Sequence, residues 1–140
     1  MRAPALAVWF AVLAGMPAAC RRPPLCPAGE EETRVSGDAV WCKDPKTSAR
    51  AYLLLHPGTR QVRQRCSFAG GALEGPFVAT HPGGKPFLEG SYQGGKLAGR
   101  WIQWDAGGKK VAEGEYREGR LVSGAPVAVG STCESVPVLQ

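Results

Sequence analysis

The chain has 140 residues, 44% of them hydrophobic and 21% charged, with 19 glycines, 12 prolines and 5 cysteines. That length holds one small domain at most once any export segment is removed. The formal net charge is +5, or +4 without Arg2, an excess that suits anionic headgroups or wall polymers and argues against a nucleic-acid protein.

Met1 and Arg2 precede the run APALAVWFAVLAG, which at ~13 residues falls short of the about 20 that a membrane-spanning helix needs. Ala18 and Ala19 end it, and Pro17 with the basic pair Arg21 and Arg22 closes it, so residues 1–19 read as a cleaved signal helix. Cys20 follows at once. The stretch PAAC resembles a bacterial lipoprotein signal, which implies that Cys20 becomes the lipid-modified first residue of the mature chain. That reading places the protein in the bacterial cell envelope, periplasm or outer membrane, on two or three acyl chains, each buried methylene contributing about 0.8 kcal/mol. Ordinary signal cleavage, leaving a free Cys20 and a secreted product, is the alternative.

Residues 20–25, CRRPPL, form a short tether. Residues 26–50 read as a cap, a hairpin around Ser36 and Gly37 closed by two cysteines, with Trp41 placed to cover a sheet edge. With Cys20 assigned to lipid, Cys26, Cys42, Cys66 and Cys133 remain, an even set that suggests two disulfides in an oxidising compartment. Four cysteines allow three connectivities. Cys26 to Cys42 with Cys66 to Cys133 is the favoured one; its loops of roughly 16 and 67 residues would stabilise by roughly 3 and 4 kcal/mol. No CxxC pair occurs and both histidines lie away from every cysteine, so neither a metal site nor a cofactor is expected.

From residue 51 to 124 the chain repeats with a period of about 24 residues, the kind of regularity that marks a repeat architecture. Phe68, Tyr92 and Tyr116 align, as do Gly71, Gly95 and Gly119, then Leu73, Leu97 and Leu121, then Phe77 and Trp101. HPGGKPFLEG over 81–90 lies on DAGGKKVAEG over 105–114, while the HPG at 56 returns at 81, one residue late. Glycine-bearing reversals near 70, 83, 94, 107 and 118 separate short segments rich in β-formers. In KVAEGEY, Val111, Glu113 and Glu115 point one way and Ala112, Gly114 and Tyr116 the other. The prediction is an all-β fold, a single-layer antiparallel β-meander of tandem 24-residue hairpins. Gly90 and Gly114 share a face with the tyrosines and leave room for rings to cover the backbone. Pro76 marks an edge or irregular strand, and residues 125–140 should add a cap strand and tail returning to Cys66.

The stretch GSYQGGKLAGRWIQWDAGGKKVAEGEYREGRL resembles the MORN-repeat variant of bacterial proteins, over about residues 51–124, with Ser123 where that pattern has glycine. The resemblance implies hairpin repeats and, through the labels its bacterial members carry, an antitoxin or immunity role against a toxin; other MORN proteins are linked to membrane contact and scaffolding.

Chemistry is sparse. His56 and His81 share one HPG context and read as turn residues, and Glu89 and Glu113 recur as solvated strand positions. No enzyme is expected. The residues therefore point to a tethered, monomeric binding or scaffolding module. Its candidate face is Tyr92, Trp101, Trp104, Lys109, Lys110 and Tyr116, meeting a protein or cell-wall polymer.

Overall fold

Paired left-handed residues fix where this chain reverses. At Gly70–Gly71, Gly94–Gly95 and Glu118–Gly119 the φ angles are 60° and 81°, 56° and 82°, and 49° and 81°. Two such residues in succession make the turn whose twist suits a two-residue hairpin. Wider reversals open at His56, His81 and Asp105, whose carbonyls accept the N–H groups of Thr59, Gly84 and Gly108 at 3.0 Å each. The first of these is one residue longer. His56 N–H donates to Gln61, whereas His81 donates to Lys85 and Asp105 to Lys109. The one-residue slip between the HPG copies is absorbed there.

The computed structural model describes residues 22–47, 49–128 and Cys133; the signal segment over 1–19 and the lipidation site Cys20 lie outside the described residues. The strands are β1 (Glu31–Ser36), β2 (Ala39–Lys43), β3 (Arg50–Leu55), β4 (Val62–Ala69), β5 (Ala72–Leu73), β6 (Gly75–Thr80), β7 (Pro86–Gln93), β8 (Lys96–Trp104), β9 (Lys110–Arg117) and β10 (Arg120–Gly124). They form one open antiparallel meander in the order β1-β2-β3-β4-β6-β7-β8-β9-β10, with β5 paired to β4. No α-helix occurs among the described residues. The hairpin of β1 and β2 is continuous with the sheet, pairing Trp41 with Tyr52 across β2 and β3, rather than folding over its edge.

Pro76 sits on an interior strand at a local break. Pairing with β4 jumps from Phe68↔Leu73 to Arg65↔Val78. Ser67 spans the gap: its carbonyl accepts Glu74 N–H at 3.0 Å and its hydroxyl donates to Pro76 O at 2.9 Å. Proline supplies no N–H, so an irregular stretch is where an interior strand tolerates it.

A single-layer sheet has no second layer to bury its faces, and here described residues flanking it, Leu25 and Cys26 on one face and Val127 and Cys133 on the other, pack onto them. On one face the main core runs from Trp41 and Tyr52 through Phe68, Phe77, Tyr92 and Trp101 to Tyr116. After Gly124 the chain leaves the strand and crosses this face. Ala125 N–H donates to Glu113 O, Val127 N–H to the Tyr116 hydroxyl and Ala128 N–H to Gln103 Oε1. Val127 and Cys133 join the core, and Cys133 is bonded to Cys66 on β4. Residues 125–128 form a strap without strand character; the rest of the expected cap strand and tail, Cys133 apart, lies outside the described residues. The opposite face carries a smaller cluster of Val40, Cys42, Ala51 and Leu53 under Cys26. Cys26 is bonded to Cys42, so the two disulfides fasten flanking residues to opposite faces of one sheet.

Candidate functional site

The six residues expected to form a binding face divide into two groups. Tyr92, Trp101 and Tyr116 are 4%, 0% and 7% exposed and belong to the core beneath the strap. They are therefore not a contact surface. Their rings form a chain with Phe77: Phe77 stacks on Trp101 at 5.5 Å between centroids, and Tyr92 and Tyr116 meet Trp101 edge-on at 5.3 and 6.5 Å. Edge-to-face and offset contacts of this kind add about 0.5–1.5 kcal/mol each beyond their buried area. A one-layer sheet needs its aromatics for its own core, which is the physical reason the row is hidden.

Trp104, Lys109 and Lys110 remain at the surface. They lie together where β8 turns into β9, Trp104 paired with Lys110 across a bulge, half-buried beside two exposed lysines. Asp105 holds that turn, its Oδ1 accepting the N–H groups of Gly107 and Lys109 at 2.9 Å.

Both histidines tie neighbouring reversals together. Thr80 Oγ1 donates its one proton to Val62 O at 2.7 Å, so at 3.3 Å the Nε2 of buried His56 is the donor to that hydroxyl. His81 Nε2 likewise donates to the Trp104 carbonyl at 3.0 Å. Gln61 adds a third link, accepting Gly83 N–H at 3.1 Å. Thr80 and Trp104 are one period apart, and so the same contact recurs with a side-chain acceptor in one copy and a backbone acceptor in the next.

Sequence reasoning missed one ionic cluster. Glu113 receives Arg100 Nε at 2.6 Å and pairs with Lys110 through its other oxygen. The Lys110 and then the Arg100 hydrogen bonds hold the Glu113 carboxyl below the usual carboxylate range, against a smaller opposing effect of burial. Its periodic counterpart Glu89 gives no hint of this, because position 76, one period before Arg100, is a proline.

Shallow open grooves occur among the described residues. One, of about 360 Å³, follows Gln93, Lys96, Leu97 and Glu118; another, of about 280 Å³, lies over Arg100, Glu113, Glu115 and Ser123. Among the described residues no three of His, Cys, Asp and Glu converge as a metal-ligand set. Comparison with protein-family models, with curated proteins and with solved structures finds no match to this chain.

Proposed function

We propose that this chain is an exported, lipid-anchored envelope protein of MORN-like repeat architecture that works as a non-enzymatic binding or scaffolding module. The observation that carries this reading is the pair of disulfides fastening flanking residues to the sheet. Such staples belong to an oxidising, extracytoplasmic compartment, where small domains rely on them. No helix among the described residues is long and apolar enough to cross a membrane, and the reading assigns membrane attachment to lipid on Cys20. The histidines are engaged in turn-to-turn hydrogen bonds and the central aromatics in packing. The corner of Trp104, Lys109 and Lys110 is what the earlier candidate face leaves for contact with an envelope component.

Two measurements test the reading. Mass spectrometry of the mature protein should find a diacylated or triacylated Cys20 as its first residue; an unmodified Cys20 or another start overturns the anchor. Affinity purification from the native envelope should retain material that Trp104→Ala fails to hold, with the variant's disulfides and thermal midpoint unchanged. Equal retention by both proteins removes the corner from binding.

A further inference from the structure

The two edges of the sheet are unlike, and each complements the other. Strands β1 and β10 end the strand order, and among the described residues each pairs on one side only. Every residue of both strands is exposed. An open edge of this kind is a template for a further strand. Among the described residues the large apolar side chains left exposed are Val35, Val111, Leu121 and Val122, and three of the four belong to these edges. Charge differs in sign between the edges. Glu30, Glu31 and Glu32 open β1, whereas Arg117 and Arg120 flank the turn that opens β10. The salt bridges of the described residues engage none of Glu30, Glu31, Arg117 and Arg120. Lys43, opposite Glu31 in the register, and Glu118 reduce each excess without cancelling it.

Direction and facing agree as well. Strands alternate along a path of nine, so β1 and β10 run the same way and begin at the same end of the sheet. A second copy set beside the first with its faces kept would therefore lay its β1 parallel to β10. Trp41 and Tyr116 belong to the main core. Thr33 is opposite Trp41 and Leu121 opposite Tyr116, so both point to that face. Glu32 and Arg120, one position away, point to the other face. Glu32 Oε2 accepts the Leu25 N–H at 2.9 Å, which leaves its Oε1 for a second donor. With Arg120 beside Glu32, Leu121 falls beside Thr33 and Val122 comes within one position of Val35. Each valine is the extra residue at the bulge of its strand. A bulge on an edge resists indiscriminate pairing, so this joint suits a strand that bulges at the matching place.

We propose that β10 of one copy pairs with β1 of a second copy, so that the sheet continues from molecule to molecule. The partner is this same chain because each edge supplies what the other lacks: guanidiniums against carboxylates where the two strands begin, and valine and leucine against valine further along. The contact joins two different patches, so it is head-to-tail and grows as a row instead of closing as a two-fold dimer. A two-fold joint of β10 with β10 would set the Arg120 end of each strand against the uncharged Ser123 and Gly124 of the other, and charge does not favour it. A joint of five or six residues is small, so association is weak and rises with concentration. The inference is independent of the anchored-module reading, and it departs from the monomer that the sequence suggests.

The test uses the mature chain from residue 20 onward with Cys20→Ser, so that neither lipid nor a free thiol contributes, and with both disulfides formed. In sedimentation velocity from micromolar to millimolar concentration its mass should rise past that of a dimer, and added salt should lower it. Arg117→Glu/Arg120→Glu makes both edges acidic, and Glu30→Arg/Glu31→Arg makes both basic while sparing the Glu32 bond to Leu25. Each variant alone should self-associate at least about tenfold more weakly, because like charges then meet at the joint. Mixed in equal amounts the two should recover association, since every alternating joint pairs opposite charges. Thermal midpoints and disulfide content report that both variants are folded. A mass that stops at the dimer, association unchanged in either variant, or two folded variants that do not recover on mixing overturns the inference. So does a native protein that stays monomeric throughout.

Discussion

The indole of Trp101 rests against the backbone of Gly90: a Cβ at position 90 would lie 2.0 Å from its Cδ2 and 2.2 Å from its Cε2. On the other side Trp101 is paired with Gly114, and Gly90 itself is paired with Phe77. Gly90 has an ordinary backbone conformation, so glycine is required there for space rather than for φ. Gly90→Ala should therefore cost about 3 kcal/mol, since neither the strand nor a fully buried indole can move aside cheaply. Combining it with Trp101→Leu should cost less than the two changes summed. Urea denaturation of the three variants checks this; a loss below about 0.5 kcal/mol for the alanine would place the indole elsewhere.

Glu118 presents the converse case. It occupies the first turn position that Gly70 and Gly94 fill in the earlier copies, and its φ is 49° where theirs are 60° and 56°. An L-residue with a Cβ is strained in that region by about 1–2 kcal/mol, partly offset by the greater freedom glycine loses on folding. Glu118→Gly should raise stability by about 0.5–1 kcal/mol and lift the thermal midpoint. Glu118→Val should lower it, because a β-branched residue tolerates positive φ least. A midpoint that falls with glycine would mean the carboxylate contributes more than the strain removes.

These two positions show what the sequence could and could not reveal. The spacing of glycines located the reversals near 70, 83, 94, 107 and 118, because a positive φ or a missing Cβ leaves its mark in the residue type itself. The strap left no such mark. APVAV reads as extended chain whether it pairs in a sheet or crosses one, and the difference is decided at Gly124. There φ is 80°, and a Cβ would meet Glu113 O at 2.4 Å. Gly75 and Gly99 hold positive φ one period apart, and the third copy moves that role one residue on, past Ser123. Hence the alignments of Phe68, Tyr92 and Tyr116 and of Phe77 with Trp101 were legible, but not that all five side chains share one covered core. Likewise the Glu113 cluster depends on Arg100, which has no counterpart in the neighbouring copy.

Glu113 gives the sheet an acid-sensitive contact. Hydrogen bonds from Lys110 and then Arg100 depress its carboxyl in the folded state relative to the unfolded chain. A depressed carboxylate contributes stability that is full above its unfolded pKa, near 4.3 for glutamate, and that fades as pH falls through the folded value below it. Lowering the pH from about 6 towards 3 should thus reduce the denaturation midpoint of the native protein. Glu113→Gln should start lower at neutral pH and lose less over that interval. Arg100→Ala should flatten the same limb. Parallel pH profiles for native protein and Glu113→Gln would show that other carboxylates set the acid limit.

The Cys66–Cys133 bond ties Cys133 into the aromatic core on β4. Between Ala125 and Ala128 the strap is held by three hydrogen bonds, to Glu113, Gln103 and Tyr116. Further along the chain Cys133 is held by a buried disulfide, which Gln64 Nε2 approaches at 3.2 Å from Cys66 Sγ. That bond closes a loop of 67 residues and the Cys26–Cys42 bond one of 16, for which loop-closure entropy gives about 4 and 3 kcal/mol. Similar losses should have unlike consequences. Cys66→Ala/Cys133→Ala should free the strap, redden tryptophan emission from Trp101 and increase uptake of a dye specific for exposed apolar surface. Cys26→Ala/Cys42→Ala loosens the segment over the smaller outer cluster and should raise dye uptake less. Equal dye uptake by the two variants would mean that the strap stays seated without its bond, through the packing of Val127 and the strap's hydrogen bonds to Glu113, Tyr116 and Gln103.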